Sequence, residues 1–194
     1  SAKALNITLR TSFRWRHIFI KAPASFNPSE LTGVIEADET FLPESDKGKR
    51  KIERKSRKRG GGRIKQVPIF IALDRSGVVS HKVLERNTKE NIQAQLKPLL
   101  SSGSVLCTDG NLSYKGVAEE LDIDHKRLIG LDNQRVIEGI YHIQTLNNYM
   151  KRWKGWLKRF NGVGTDYIEN YLSWFRFMED NKEYSDQTWI KEAL

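Results

Sequence analysis

Seven apolar residues in a row, Val67 to Leu73, run into Asp74-Arg75-Ser76-Gly77 and reopen as Val78 to Leu84. An apolar run this short, bounded by turn residues, suits a buried strand, and the polar turn ending in glycine sends the chain back as its hairpin partner. A chain with such a hairpin has to build a sheet around it. Gly33 to Leu42 (GVIEADETFL) reads as an earlier strand, with Val34, Glu36, Asp38 and Thr40 alternating onto one face. After the hairpin, Thr88 can cap a helix running to about Leu100, and Ser104 to Asp109 (SVLCTD) is another buried strand, stopped by Gly110. A helix near Leu112 to Leu121, a short strand near His125 to Ile129, and long helices near Ile140 to Phe160 and Asp166 to Asp180 complete the order. Early antiparallel strands followed by alternating strand and helix predict an α/β fold, a mixed five-stranded sheet flanked by helices.

Before the sheet, Thr8 can cap a helix whose apolar side is Phe13, Ile18 and Phe19, and whose remainder is basic through Arg10, Arg14, Arg16 and Lys21. This segment, 1–22, reads either as the second half of a helix-turn-helix or as an ordinary amphipathic cap helix. The first reading makes the chain a fragment of a longer protein. Residues 23–32 read as a linker, 33–182 as the sheet domain and 183–194 as a tail.

Charge is unevenly spread. The chain carries a net +9, yet Lys47 to Lys65 alone holds eleven Lys/Arg against one acid, Glu53. The rest is therefore close to neutral. A block this basic, with Gly60, Gly61 and Gly62 inside it, cannot bury itself. It is either a solvated loop or an arm for nucleic-acid phosphates, and the density of cations favours the arm. Its candidate contacts are Lys49, Arg50, Lys51, Arg54, Lys55, Arg57, Lys58, Arg59 and Arg63. No run reaches the roughly 18 apolar residues of a membrane span, so no membrane partner is expected. The single cysteine, Cys107, excludes an intrachain disulfide framework and a Cys-rich zinc site, and a cytoplasmic setting is the simpler reading.

Two carboxylates invite chemistry. Asp38 lies in the first strand and Asp109 ends the fourth, both in apolar surroundings, where a lone charge is costly without a cation. Set on adjacent strands, they could hold Mg²⁺, a hard cation that prefers oxygen ligands. Taken singly, Asp109 is as well explained as a strand-end cap and Asp38 as part of a polar strand face. The long helix adds Asn147, Lys151, Lys154 and Lys158, spaced to share one face, while Tyr149, Trp153, Trp156 and Phe160 form an aromatic stripe on another. A lysine row leading away from an amide is either a solvated helix face or a track for a passing DNA backbone, and the lack of any acid between Lys151 and Arg159 favours the track.

The strings VIEADETFL, VLCTDGNLSY and YHIQTLNNYMKRWKGWLKRFNGVGTDYIENYLSWF, in this order, resemble the ISXO-type insertion-sequence transposases of the DDE class. The resemblance runs from Thr8 to about Glu179. It implies a ribonuclease-H-like core that cleaves and joins DNA with Mg²⁺, for which Mn²⁺ substitutes, acting as a homodimer on double-stranded DNA and associated with the nucleoid. It makes Asp38 and Asp109 the first two metal ligands, 71 residues apart. The third slot of the family falls on Asn147, where the commoner residue is Glu, and Lys154 falls on the downstream lysine. Asp38, Asp109, Asn147 and Lys154 are thus the implied catalytic set. An amide oxygen can ligate Mg²⁺ but brings no charge. Glu138 is the fallback third acid. The family's N-terminal zinc ribbon has no counterpart in this chain, which leaves recognition of element ends in question. Glu39 should point away from Asp38, His142 is structural, orients a ligand or contacts phosphate, and Cys107, Trp15, Trp174 and Phe175 read as packing or interface residues. A DNA-binding protein without catalysis and a nuclease for RNA–DNA hybrids are the competing readings.

Overall fold

The computed structural model describes residues 2–49, 51–52, 65–129 and 136–183. Its hairpin is β2, Gln66–Asp74, and β3, Val79–Val83. The turn is held by Asp74, whose Oδ1 accepts from the Ser76 amide at 2.9 Å, the Ser76 hydroxyl at 2.6 Å and the Val78 amide at 3.1 Å. Gly77 takes φ +97°, a conformation that glycine adopts without strain.

β1, Val34–Pro43, pairs antiparallel with β2 from Ile35 opposite Asp74 to Pro43 opposite Gln66. β4, Val105–Asp109, runs parallel to β1, and β5, Asp124–Leu128, runs parallel to β4. The sheet order is β3-β2-β1-β4-β5. This five-stranded mixed sheet, with its second strand antiparallel and helices flanking it, is ribonuclease-H-like, as expected from the sequence.

One face of the sheet is apolar. Ile35, Ala37, Phe70, Ala72 and Leu106 pack with Ile92 and Leu96 of α2 (Lys89–Leu96) and with Tyr114 and Val117 at α3 (Lys115–Leu121). Thr88 caps α2 as the sequence suggests, its hydroxyl accepting from the Asn91 amide. The other face carries α4, Gln144–Leu157, against β1 and β2. Leu146, Tyr149, Met150, Trp153, Trp156 and Leu157 make its buried side, leaving Asn147, Lys151 and Lys158 exposed. This helix starts four residues later than its periodicity suggests. Ile137 and Tyr141 close a tight bridge in which Glu138 and Gly139 both take positive φ, so the chain is turning where the helix was expected. It ends through Asn161 at φ 49° and Gly162 at φ 92°, a left-handed stop.

The described residues form two compact units, Pro28–Asp166 and the segments up to Asn27 and from Tyr167 onward. In the second unit α1, Leu9–Lys21, is capped by Thr8, whose hydroxyl accepts from the Thr11 amide at 3.1 Å. Its packed face differs from the expected one. Ile20 is buried and Phe13 and His17 meet the ring of Tyr167, whereas Ile18 and Phe19 are about 60% exposed. Phe13, His17 and Ile20 recur at helical spacing, and Ile18 and Phe19 do not share that face. α5, Ile168–Asp180, follows in the same unit, where the Arg176 guanidinium donates to the Asn27 side chain and to the Pro23 carbonyl. Phe175 is buried and Trp174 half-buried. No helix among the described residues is long and apolar enough to cross a membrane.

Candidate functional site

The parallel register pairs Ala37 with Thr108, so the next residues, Asp38 and Asp109, stand side by side where β4 ends. β1 and β2 continue beyond this point as a two-stranded ribbon. The two aspartates thus sit at the carboxyl edge of the parallel strands, where open α/β sheets offer a crevice.

Cross-strand pairing decides the surroundings of Asp38. Its antiparallel neighbour is Ile71, which is fully buried, and Glu36 two residues earlier is opposite Leu73. Burial pushes the Asp38 carboxyl up to about 7, and the negative charges of Asp109 and Glu39 push the same way. The Glu39 amide, donating to Asp38 Oδ1 at 2.7 Å, and the cation of Lys154 pull it back only in part. Lys154 of α4 is therefore close enough for its charge to act on Asp38.

Asp109 is set by the loop that follows it. Its Oδ1 accepts from the Asn111 amide at 3.0 Å, and Asn111 Oδ1 in turn accepts from the Ser113 amide at 3.0 Å. Arg127 donates to the Gly110 carbonyl at 2.8 Å. Glu39 points to the opposite face, as alternation predicts. Its Oε1 accepts from the buried Tyr114 hydroxyl at 2.6 Å and its Oε2 from the Asn111 amide group at 3.4 Å. Burial raises the Glu39 carboxyl above its ordinary range, and it raises the Tyr114 hydroxyl strongly. Glu39 thereby braces the loop behind Asp109.

Asn147 lies in the first turn of α4, exposed, and its side chain makes no hydrogen bond to either aspartate among the described residues. The residue before it is held firmly. Leu146 donates its amide to Glu36 Oε2 at 2.8 Å. Glu36 is fully buried and meets Arg75 Nη1 at 3.0 Å and His142 Nδ1 at 3.5 Å. Alternation puts Glu36 on the Asp38 face without assigning it a role, and Arg75 reads as a turn residue. The available signal was an acid between Ile35 and Ala37, which in a buried strand requires a partner. Glu138 is engaged elsewhere, bonding Lys126 at 2.8 Å. Among the described residues no three Asp, Glu, His or Cys side chains gather at one metal-holding point. Cys107 is buried and packs, its thiol pushed up to about 11 by burial and by Glu36. His125 is held down to about 4 by burial and meets Thr108 Oγ1 at 2.8 Å.

The basic segment is described only at its roots, where Lys47, Lys49 and Lys65 each have partners. Lys47 Nζ donates to the carbonyls of Phe160 at 2.9 Å, Asn161 at 3.3 Å and Gly162 at 2.8 Å, bracing the turn that follows α4. Lys49 pairs with Asp46 at 3.2 Å and Asp166 at 3.6 Å, and Lys65 with Glu44 at 2.8 Å. Ser45 and Thr165 tie the same strap through bonds of 2.8 and 2.9 Å. Lys51 is exposed, and Arg50, Arg54, Lys55, Arg57, Lys58, Arg59 and Arg63 lie outside the described residues. The root of the segment is thus anchored at the end of the helix that carries Lys151, Lys154 and Lys158.

Residues 30–180 match the ISXO2-like transposase domain, and the chain belongs to that family. No curated protein matches it. Among solved structures it is similar to a chain of the simian T-cell lymphotropic virus intasome in complex with PP2A regulatory subunit B56 gamma, at 13% identity and a TM-score of 0.46 over 77% of this chain and 49% of that one. It is also similar to a chain of a pre-cleavage Mos1 transpososome, at 13% identity and a TM-score of 0.33 over 94% and 71%. The chain spans about half the length of the first of these.

Proposed function

We propose that this domain cleaves and joins DNA strands for an insertion sequence, with a divalent cation held between Asp38 and Asp109. The observation that carries the reading is the adjacency of these two carboxylates at the end of neighbouring parallel strands, where burial and the charge of Asp109 push the Asp38 carboxyl up to about 7. Such a pair fits a hard dication, whose two positive charges match the two carboxylates. Mg²⁺, or Mn²⁺ in its place, would supply Lewis-acid activation of a water or a DNA 3′-hydroxyl.

The protein's own residues do the rest. Asn147 offers a neutral oxygen from α4 as the third donor. Lys154, already electrostatically coupled to Asp38, places a positive charge where the scissile phosphate would lie. Lys151 and Lys158 extend that charge along the exposed side of the helix, and the basic segment from Lys47 to Lys65 continues it from the helix end. Phosphate contacts of this kind position the duplex without reading its sequence. Joining two element ends calls for two copies of the chain.

The test is nicking and joining of DNA carrying the element's own terminal repeats, by the full-length protein with Mg²⁺ or Mn²⁺. Activity is expected in the wild type and lost in Asp38→Ala and Asp109→Ala, with DNA binding retained. Survival of cleavage in either variant would overturn the assignment. A wild type that binds such DNA but never cuts it would make the domain a binding module.

A further inference from the structure

Glu36 and Arg75 form an ion pair that no cleavage step uses. We infer that this pair positions the third metal donor, by locking the first turn of α4 to the strand that carries Asp38; the inference rests on the proposed role of Asn147. Three elements converge on the pair. Glu36 comes from β1, two residues before Asp38 and on the same face. Arg75 comes from the β2–β3 turn. Leu146, whose amide Glu36 accepts at 2.8 Å, directly precedes Asn147.

The geometry is over-determined on the arginine side. Beyond its ion pair with Glu36 at 3.0 Å, the guanidinium donates to Thr145 Oγ1 at 3.1 Å and to the carbonyl of Ile140 at 3.1 Å, and it lies 3.2 and 3.3 Å from the two ring nitrogens of His142. One planar group thereby fixes both the turn entering α4 and its first residues. A lysine could neutralise Glu36 but could not reach these acceptors together. A buried acid with no exposed surface would not be needed to start a helix. Here it fixes the height of the helix against β1, and with it the reach of Asn147 toward Asp38.

Residues behind metal ligands commonly change metal affinity about 10- to 100-fold. The experiment is therefore Mn²⁺ binding to the DNA-free protein, read from the free-ion electron paramagnetic resonance signal, in wild type, Arg75→Lys, Glu36→Gln, Asn147→Ala and Arg75→Lys/Asn147→Ala. Arg75→Lys and Glu36→Gln are each expected to weaken Mn²⁺ binding about tenfold. Asn147→Ala is expected to weaken it as well. In the double variant Arg75→Lys should cost nothing further, because the donor it positions is gone. Arg75→Lys with wild-type affinity, or a double variant in which the two losses add, overturns the positioning role while leaving Asn147 as a donor. An unchanged affinity in Asn147→Ala sinks both the donor and its positioning pair. Thermal unfolding of each variant separates these outcomes from loss of the fold, since a change confined to melting temperature also counts against the inference.

Discussion

Asp38→Asn should make the metal-free protein more stable at alkaline pH. In the folded chain the Asp38 carboxyl is raised from 3.8 to about 7. The unfolded chain therefore releases this proton first, and stability falls as pH rises from about 4 to about 7, then stays low. At about 1.4 kcal/mol per tenfold change in proton affinity the ceiling is about 4 kcal/mol. For a domain of this size that is roughly 10 °C in melting temperature. Asn is nearly isosteric, carries no charge and can still accept the Glu39 amide through its Oδ1. His125 works in the opposite direction. Its value of about 4 lets the unfolded chain bind the extra proton, so stability rises with pH between about 4 and 6.5. The difference between wild type and Asp38→Asn removes that contribution. Melting curves in chelator at pH 5 and pH 8 should show the variant gaining on the wild type by several degrees at the higher pH. Millimolar Mn²⁺ at pH 8 should raise the wild type and leave the variant nearly unmoved. Equal pH dependence in the two proteins would refute the reasoning, because it would mean that Asp38 is not held in a charged, desolvated cluster.

Three further variants probe the site's surroundings. Lys47→Met should lower stability by no more than about 1 kcal/mol, because water can replace its exposed bonds to the turn after α4, and leave the salt dependence of DNA binding unchanged; Lys158→Ala should leave stability unchanged and reduce the salt slope by about one, both readable from melting curves and salt titrations of affinity. Tyr114→Phe should cost about 1–3 kcal/mol, since it leaves a half-buried Glu39 carboxylate oxygen without its donor, and it should raise the Glu39 carboxyl further, as seen by carbon-13 titration.

What the sequence made legible was the part governed by local pattern. Val67 to Leu73 could only be a strand, Thr88 and Thr8 are caps, and alternation put Asp38 and Glu39 on opposite faces. Pairing of Asp38 with Asp109 also follows from strand order once β1 and β4 are parallel neighbours. The rest depends on pairings between distant residues. Glu36 meets Arg75 and Leu146 across 39 and 110 positions, and no periodicity reports such a contact. Lys47 looked like one cation among many in a basic block, yet three carbonyls more than 110 residues away claim it. The packed face of α1 went astray for a simpler reason. Its exposed Ile18 and Phe19 outnumber the buried Ile20, so hydropathy alone pointed to the wrong side.

The most direct test of the central claim is anomalous diffraction at the manganese edge from crystals grown with Mn²⁺. A Mn²⁺ ion is expected between Asp38 and Asp109, with the Asn147 side-chain oxygen within about 2.3 Å of it. Saturating Mn²⁺ with no anomalous peak between the two aspartates, or a peak held by other acids, would contradict it.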